Sequence, residues 1–179
     1  MNALGGTYLG DDELSCLGFQ SLGTNVKIHE RASLYGLENI CLGSDIRIDD
    51  FVVIIASGPL IIGNQCSIHN FVFMGAKNGI TIGDGCTFAP AAKIFSSSDN
   101  YDVESGHGLF VEDALASRTE ASVIIGDSVL IGSGSVILPG VSISDRASVG
   151  ALSLVKEDVK ESTLVAGVPS QLIRAKNRS

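Results

Sequence analysis

The sequence predicts an all-β fold, a three-sided parallel β-helix. Three observations support this prediction: an aliphatic residue followed by glycine recurs every 20 residues in the first half, apolar residues recur every six residues in the second half, and one long polar segment separates the halves. A period of six suits neither a helix, with a period of 3.6, nor a long strand, with a period of 2. It suits very short strands joined by tight corners, three to a coil.

The first half contains four coils of 20 residues, which begin at Leu22, Leu42, Ile62 and Ile82. When the aliphatic residue before each glycine is numbered zero, positions 0, 6 and 12 are apolar in all four coils. Parallel strands of neighbouring coils lie about 4.8 Å apart, so residues at one position form a column. Cys66 and Cys86 share position 4 and are predicted to stack inside as buried thiols, without a disulfide.

The second half continues with a strict period of six, in coils of 18 residues, through Ile125, Ile131, Ile137, Ile143, Val149 and Val155. The predicted organisation is an N-terminal cap (1–21), a β-helix (22–167) with a loop excursion (102–121), and a C-terminal tail (168–179). In the cap, Gly10 followed by three acidic residues predicts a short helix that ends near Gly18. Residues 96–101 are expected to complete the last 20-residue coil.

Composition narrows the class of protein. The net charge of -8 disfavours nucleic acid as a partner. Although 45% of the residues are hydrophobic, no run approaches the roughly 20 apolar residues of a membrane span. The first residues lack a basic region and a long apolar stretch, so no signal peptide is expected and a cytoplasmic location is predicted.

The spacing of the histidines argues against a metal site. His29 and His69 share position 7 but lie two coils apart, about 9.6 Å at the strand spacing. Two ligands of one Zn²⁺ ion cannot be much more than about 4 Å apart. Asp49 lies between the two histidines in the same column, and a polar ladder of these three residues along one corner is the alternative to a catalytic role for His69. We therefore predict no bound metal.

Over roughly residues 20–175 the repeat resembles the hexapeptide-repeat family, whose members fold as left-handed parallel β-helices. The left hand is implied by this resemblance, because the usual crossover rule favours the right. The resemblance also implies an acyl-CoA-dependent acyltransferase that works as a homotrimer, with active sites between neighbouring subunits. A metal-dependent carbonic anhydrase and a non-catalytic scaffold are the alternatives within the family.

The C-terminal segment VAGVPSQLIR (165–174) is similar to the AGVP signature of these acyltransferases. The resemblance implies that Gly167 and Pro169 lie at the coenzyme and that Arg174 meets its phosphates. A second basic residue is often found where this chain has Gln171. The family's coenzyme track, along which backbone amides contact coenzyme A, matches Ser133 and Ala151. Lys156 belongs to the basic C-terminal stretch and is a further candidate for the coenzyme site, although a solvated basic tail is the alternative for this stretch.

The acceptor side resembles one subgroup of the family. The segments DELSCLGFQSLGTNVKIHERASLYGLENI and SSSDNYDVES look like nucleotide-sugar N-acyltransferases such as the one of anthrose biosynthesis, and Asp99, Tyr101 and Glu104 match that subgroup by position. Galactoside-type acetyltransferases have a catalytic histidine where this chain has Asp99. A hydroxyl needs a base tuned near neutrality, whereas an amine needs mainly to be held and to lose one proton, so Asp99 favours N-acylation. The alternative for Asp99 is a simple turn.

His69 is the best candidate base, because position 7 is also where the glycines beside the expected coenzyme track lie. Asn70 and Asn100, next to the two catalytic candidates, are candidate substrate contacts. His107 in the loop is expected either to reach a substrate across the trimer or to be merely exposed.

The sequence thus predicts an acetyl-CoA-dependent N-acetyltransferase for a nucleotide-linked amino sugar, a precursor of a bacterial surface polysaccharide such as O-antigen or lipopolysaccharide. O-acetylation of a polysaccharide sugar is the alternative.

Overall fold

The structure is a computed structural model that describes residues 6–100 and 118–175. Its α-helix is α1 (Asp11–Leu14), and a 3₁₀ turn covers Leu37–Asn39. In chain order the strands are β1 (Tyr8–Leu9), β2 (Ser21–Leu22), β3 (Lys27–His29), β4 (Ser33–Tyr35), β5 (Ile40–Leu42), β6 (Arg47–Ile48), β7 (Val53–Ile55), β8 (Leu60–Ile62), β9 (Ser67–Ile68), β10 (Phe73–Gly75), β11 (Ile80–Ile82), β12 (Thr87–Phe88), β13 (Lys93–Phe95), β14 (Ser97–Asp99), β15 (Arg118–Glu120), β16 (Val123–Ile125), β17 (Leu130–Ile131), β18 (Val136–Ile137), β19 (Ser142–Ile143), β20 (Ser148–Val149), β21 (Leu154–Val155), β22 (Thr163–Ala166) and β23 (Gln171–Ala175).

Three sheets form the three faces of the predicted β-helix, since each regular coil gives one short strand to each sheet. Sheet A has the order β1-β3-β6-β9-β12-β17-β20-β22-β23, sheet B the order β2-β5-β8-β11-β16-β19, and sheet C the order β4-β7-β10-β13-β18-β21. Ile48 pairs with Ile68, 20 residues away, and Ile131 pairs with Val149, 18 residues away. Both predicted periods are therefore confirmed.

The core is a set of stacked columns. Position 6 of successive coils is buried throughout, by Ile28, Ile48, Ile68, Phe88, Ile131 and Val149. Cys66 and Cys86 are buried free thiols, as predicted. The hydrogen bond with Cys66 and burial both raise the pKa of the Cys86 thiol, so Cys86 stays protonated.

The recurring aliphatic–glycine pair has a steric cause at the corner between sheets B and A. A Cβ atom on Gly43 would lie 2.8 Å from the backbone carbon of Gly63 in the next coil. The residue after each glycine carries an acceptor that caps the coil before it; Asn64 accepts from Ser44 N–H at 2.9 Å. This corner therefore requires glycine followed by a short polar side chain.

The cap closes the first coil. Asp11 of α1 accepts hydrogen bonds from the backbone N–H groups of Asn25 and Val26 at 2.8 and 2.9 Å, and Leu14 is buried against the core. The short helix is confirmed, although it ends at Leu14, earlier than the predicted stop near Gly18. Strand β1 pairs antiparallel with β3 and extends sheet A.

The excursion leaves the coil earlier than the sequence predicts. Ser96 is buried and accepts a hydrogen bond from Ala121 N–H at 3.0 Å, and Val123 pairs with Ile80, so Ser96 and the residues from Ala121 onward close the coil. The expectation that residues 96–101 complete it is corrected, because Ser97–Asp99 pair antiparallel with Arg118–Glu120 outside the coil. The three-part division of the chain stays a prediction.

The C-terminal segment folds back on the last coil. Strand β22 pairs in parallel with β20, and β23 pairs antiparallel with β22, so β23 covers the final edge of sheet A. No helix within residues 6–100 or 118–175 has the length and apolar character needed to cross a membrane.

Candidate active site

Two corners flank sheet C, and the candidate residues divide between them. The A/C corner follows the strands of sheet A and contains His69 and Asn70, directly after β9. The C/B corner follows the strands of sheet C and is where β14, with Asp99, leaves the coil.

His69 belongs to a hydrogen-bonded network at the A/C corner. Its Nδ1 lies 3.1 Å from Oδ2 of Asp49, one coil earlier, and 3.3 Å from a terminal nitrogen of Arg47. Nε of Arg47 lies 3.1 Å from the other carboxylate oxygen of Asp49. The His69 side chain is 31% exposed and that of Asp49 only 15%. Asp49 and Arg47 of the preceding coil thus hold the His69 ring through Nδ1, and the side chain remains partly exposed to solvent.

The N-terminal cap contributes to the same network. The hydroxyl of Tyr8 donates to Oδ1 of Asp49 at 2.8 Å, and the Tyr8 ring meets the His29 ring edge-on with centroids 5.2 Å apart. Burial, the hydrogen bond to Asp49 and the charge of that carboxylate raise the pKa of Tyr8, so its hydroxyl remains a donor. Asp49 and His69 are thus joined directly along their column, while His29 contacts the Tyr8 ring. The sequence had not indicated Tyr8 or Arg47 as members of this network.

An aromatic column lies beside the network. Phe51 and Phe71, at position 9 of successive coils, stack with ring centroids 5.2 Å apart and an interplanar angle of 7°. Both adopt left-handed backbone conformations, with φ of 56° and 62°, and both are exposed. The Arg31 guanidinium lies 6.0 Å from the Phe51 centroid, within cation–π range.

Ser133 and Ala151 lie on the same A/C corner in later coils, directly below this network along the helix axis. Both residues are exposed. Among the described residues, no group accepts a hydrogen bond from the backbone N–H of either one. The corner therefore has two backbone amides in successive coils without a described acceptor.

The AGVP segment lies against the sheet C side of this corner. Leu154 N–H donates to Gly167 O at 2.9 Å, and Gly167 N–H donates to the Ser153 hydroxyl at 3.1 Å. The Val168–Pro169 peptide bond is cis, and the chain then reverses into β23 on sheet A. The signature thus folds around the end of the A/C corner.

The two predicted basic residues lie on different parts of the coil, Lys156 at the C/B corner and Arg174 on sheet A. Lys156 is exposed and follows β21 of sheet C. Arg174 is exposed on sheet A opposite Leu164. A cavity of about 250 Å³ there is lined by Arg146, Ser148, Ser162, Thr163, Leu164 and Arg174.

Asp99 is ion-paired at the C/B corner. Its Oδ1 lies 3.0 Å from Nε of Arg118, the residue opposite it in the β14–β15 pair. The next residue, Asn100, accepts a hydrogen bond from the Thr119 hydroxyl at 2.7 Å. Arg118 was not found from the sequence because it lies at the far end of the excursion, outside any repeat. Tyr101, Glu104 and His107 lie outside the described residues.

Within one chain the structure does not bring His69 and Asp99 together. Sheet C separates the two corners, and its three-residue strands each span roughly 10 Å. None of the hydrogen bonds and ion pairs described above connects the A/C corner with the C/B corner. The two candidate catalytic residues therefore belong to different edges of the same face.

The outer face of sheet C is mainly apolar, although Ser33 and Lys93 also lie on it. Tyr35 and Ile55 are 59% and 40% exposed, and Phe73 and Phe95 pack together with ring centroids 5.3 Å apart. In the described part of the chain, no group of three or more His, Cys, Asp or Glu side chains is arranged to hold a metal ion.

Comparisons with known proteins identify the class. No family model matches the sequence. The chain is 36% identical over 172 residues to the dTDP-4-amino-4,6-dideoxy-D-glucose acyltransferase of Escherichia coli, which covers 96% of this chain and 90% of the relative. The fold matches the N-acyltransferase AntD from Bacillus cereus in complex with dTDP and 3-hydroxybutyryl-CoA, with a TM-score of 0.90, 30% identity, and coverage of 97% and 92% of the two chains. An AntD variant bound to dTDP-4-amino-4,6-dideoxyglucose and coenzyme A matches with a TM-score of 0.91 and 30% identity over the same shares of the two chains.

This chain belongs to the left-handed β-helix acyltransferases, in the group that acylates nucleotide-linked amino sugars. The predicted fold class, enzyme class and coenzyme are confirmed.

Proposed function

We propose that this protein transfers an acyl group, most simply acetyl, from coenzyme A to the 4-amino group of a dTDP-linked 4-amino-4,6-dideoxy sugar. The observation that carries the proposal is the 36% identity to the E. coli acyltransferase of that substrate over 96% of this chain. Both co-substrates are cytoplasmic metabolites, so the enzyme acts in the cytoplasm, and its product enters surface-polysaccharide assembly.

The reaction needs no covalent enzyme intermediate. The neutral amine attacks the thioester carbonyl, a C–N bond forms, and the C–S bond breaks as coenzyme A leaves. His69 accepts the amine proton at its free ring nitrogen and returns it to the departing thiolate, which balances the proton transfer. Asp99 orients the amine through its carboxylate, and a backbone N–H stabilises the oxyanion of the tetrahedral intermediate.

The A/C corner is the coenzyme track in this proposal. The backbone N–H groups of Ser133 and Ala151, which have no described protein acceptor, donate to the amide carbonyls of the pantetheine arm. Gly167 and Pro169 enclose the far end of the track, and Lys156 and Arg174 neutralise the coenzyme phosphates. With the phosphates at the C-terminal coils, the thioester reaches the coil of His69.

A homotrimer is part of the proposal, because it unites the separated candidates. Packing three copies around their apolar sheet C faces brings the A/C corner of one subunit beside the C/B corner of its neighbour. His69 and Asn70 of one subunit then meet Asp99 and Asn100 of the next. The predicted substrate contacts Tyr101, Glu104 and His107 would come from that neighbour's excursion.

The activity is tested by release of free thiol from acetyl-CoA and from longer acyl-CoA thioesters. The acceptors are dTDP-4-amino-4,6-dideoxyglucose and the dTDP sugar with a hydroxyl at carbon 4. Turnover with the amine and little with the hydroxyl is expected. Turnover with the hydroxyl alone would favour O-acylation, and no turnover with any acyl-CoA would overturn the proposal.

The shared site is tested by complementation between inactive variants. Subunits of His69→Gln and Asp99→Asn are co-expressed with different tags, and the mixed trimers are isolated. If His69 and Asp99 come from neighbouring subunits, one of the three sites in every mixed trimer holds both native residues, so activity returns. Sites built within one subunit would leave the mixture as inactive as its parents.

A further inference from the structure

The carboxylate of Asp49 is unusually well held for a residue outside the proposed chemistry. Its Oδ1 accepts from the Tyr8 hydroxyl at 2.8 Å and from Arg47 Nε at 3.1 Å, and its Oδ2 faces His69 Nδ1 at 3.1 Å. The backbone is fixed as well, since Asp49 N–H donates to Ile68 O at 2.9 Å. These contacts leave Asp49 little freedom to turn away from His69.

The network determines which ring nitrogen of His69 carries the proton. An ionised carboxylate only accepts hydrogen bonds, whereas the guanidinium of Arg47 only donates. Nδ1 cannot donate to Asp49 and accept from Arg47 at once. The contact with Asp49 is the shorter, 3.1 Å against 3.3 Å, and an unprotonated Nδ1 would turn its lone pair towards the carboxylate, so the proton belongs on Nδ1.

We propose that Asp49 is a positioning residue for His69: it holds the proton on Nδ1 and so leaves the Nε2 lone pair to accept the proton of the substrate amine. This inference rests on the proposed function, in which His69 is the base. Tyr8 and Arg47 hold the carboxylate in turn, so the N-terminal cap takes part in arranging the site as well as closing the core.

Replacing Asp49 with asparagine exchanges an acceptor for a group that can donate. The new carboxamide and Arg47 can both donate to Nδ1, which moves the ring proton to Nε2 and removes the lone pair that the amine needs. The side-chain volume and the backbone hydrogen bonds are retained. Asp49→Asn therefore changes the tautomer rather than the fold.

The tautomer is read directly by NMR of protein labelled with ¹⁵N-histidine, at a pH where the ring is neutral. The His69 signals are identified by their loss in His69→Gln. The expected result is a protonated Nδ1 and an unprotonated Nε2 in the native protein, with the two reversed in Asp49→Asn. A protonated Nε2 in the native protein overturns the proposal whatever the activity.

Kinetics provide the second readout. Asp49→Asn should lower kcat by about 10- to 100-fold, up to the lower end of what a general base contributes, and leave the KM for acyl-CoA unchanged. The double variant Asp49→Asn/His69→Gln should be no slower than His69→Gln alone, since both changes remove one function. A double variant slower by the product of the two single effects overturns the positioning role.

The matched control is Asp45→Asn, in the same coil but at the corner between sheets B and A. Asp45 has a left-handed backbone, with φ of 60°, which asparagine tolerates, and it accepts a hydrogen bond from the Asn25 side chain that a carboxamide oxygen can also accept. The kcat of the Asp45→Asn variant should equal that of the native protein. Absence of acyl transfer by the native protein would overturn the proposed function instead, and the NMR result would still decide the tautomer.

Discussion

The two corners beside sheet C hold their candidate residues in different ways. At the A/C corner, His69 and Asp49 occupy one column, and each backbone N–H is bonded to the next coil, to Phe88 O at 3.0 Å and to Ile68 O at 2.9 Å. At the C/B corner, Asp99 has left the coil, and its described strand pairs only with β15.

The difference teaches how one fold supplies both a rigid and an adaptable part of a site. In the proposed function the stacked coils fix the proton acceptor and the coenzyme track, which are needed whatever sugar is acylated. In the same proposal the acceptor meets Asp99 and Asn100, which lie outside the stacked coils, where a change of sequence leaves the coils in place.

The largest expected effect is at the rigid corner. His69→Gln should lower kcat by at least about 100-fold, because it removes the proposed base, and should leave the KM for acyl-CoA close to native. Steady-state kinetics of thiol release measure both. His29→Gln is the control in the same column, two coils away; it should lower the melting temperature, since His29 is buried, and change kcat by less than about threefold. Equal losses of kcat in the two variants would mean that the histidines of this column stabilise the fold and that His69 has no special role in catalysis.

Asp99→Asn tests the adaptable corner. It should lower kcat by about 10- to 100-fold, because the carboxylate that orients the amine is lost, while calorimetry should find unchanged affinity for coenzyme A. Asp145→Asn, remote from both corners, keeps an oxygen for the N–H of Asp127 and should be native in turnover. Native turnover of Asp99→Asn would exclude Asp99 from the reaction.

Arg118→Met should have a smaller effect, about three- to tenfold in the KM for the nucleotide sugar. Loss of the 3.0 Å ion pair frees the Asp99 carboxylate to move but does not remove it. Arg118→Lys should recover part of the loss. An increase in the KM for acyl-CoA instead of the sugar would contradict the assignment of this corner to the acceptor.

Tyr8→Phe should lower kcat by about two- to fivefold, since Asp49 keeps its contact with Arg47 when the hydroxyl is removed. The KM values should not change, and the melting temperature should fall only slightly. A loss as large as that of Asp49→Asn would mean that the cap, rather than the column, sets the position of Asp49.

The smallest effect is expected on acid stability at the base of the excursion. The Lys77 ammonium bonded to Glu120 lowers the pKa of that carboxyl. Because the folded pKa is the lower one, the stabilisation is present above the unfolded value and is lost as the pH falls through the folded value. The difference in melting temperature between the native protein and Lys77→Met should therefore be small at pH 7 and vanish in acid. A difference that grows in acid would contradict the ion pair.

Much of the fold followed from the sequence because a β-helix converts spacing along the chain into position in space. A constant period places Cys66 against Cys86, and Asp49 against His69, without further information. The same regularity, with the AGVP signature, sufficed to name the family. The end of the last 20-residue coil was predicted wrongly, because Ser97–Asp99 satisfy the coil spacing but bond to a distant strand.

Other features of the site were decided only by the tertiary structure. Tyr8 and Asp49 are 41 residues apart in the sequence, and Arg118 and Asp99 are 19 residues apart. Neither separation is a multiple of the repeat length. Such contacts depend on how the cap and the excursion pack, which no periodic pattern encodes. The separation of His69 from Asp99 by sheet C was likewise decided by the tertiary structure. The sequence determined the column of each residue, but only the closed triangular coil determined which face lies between them.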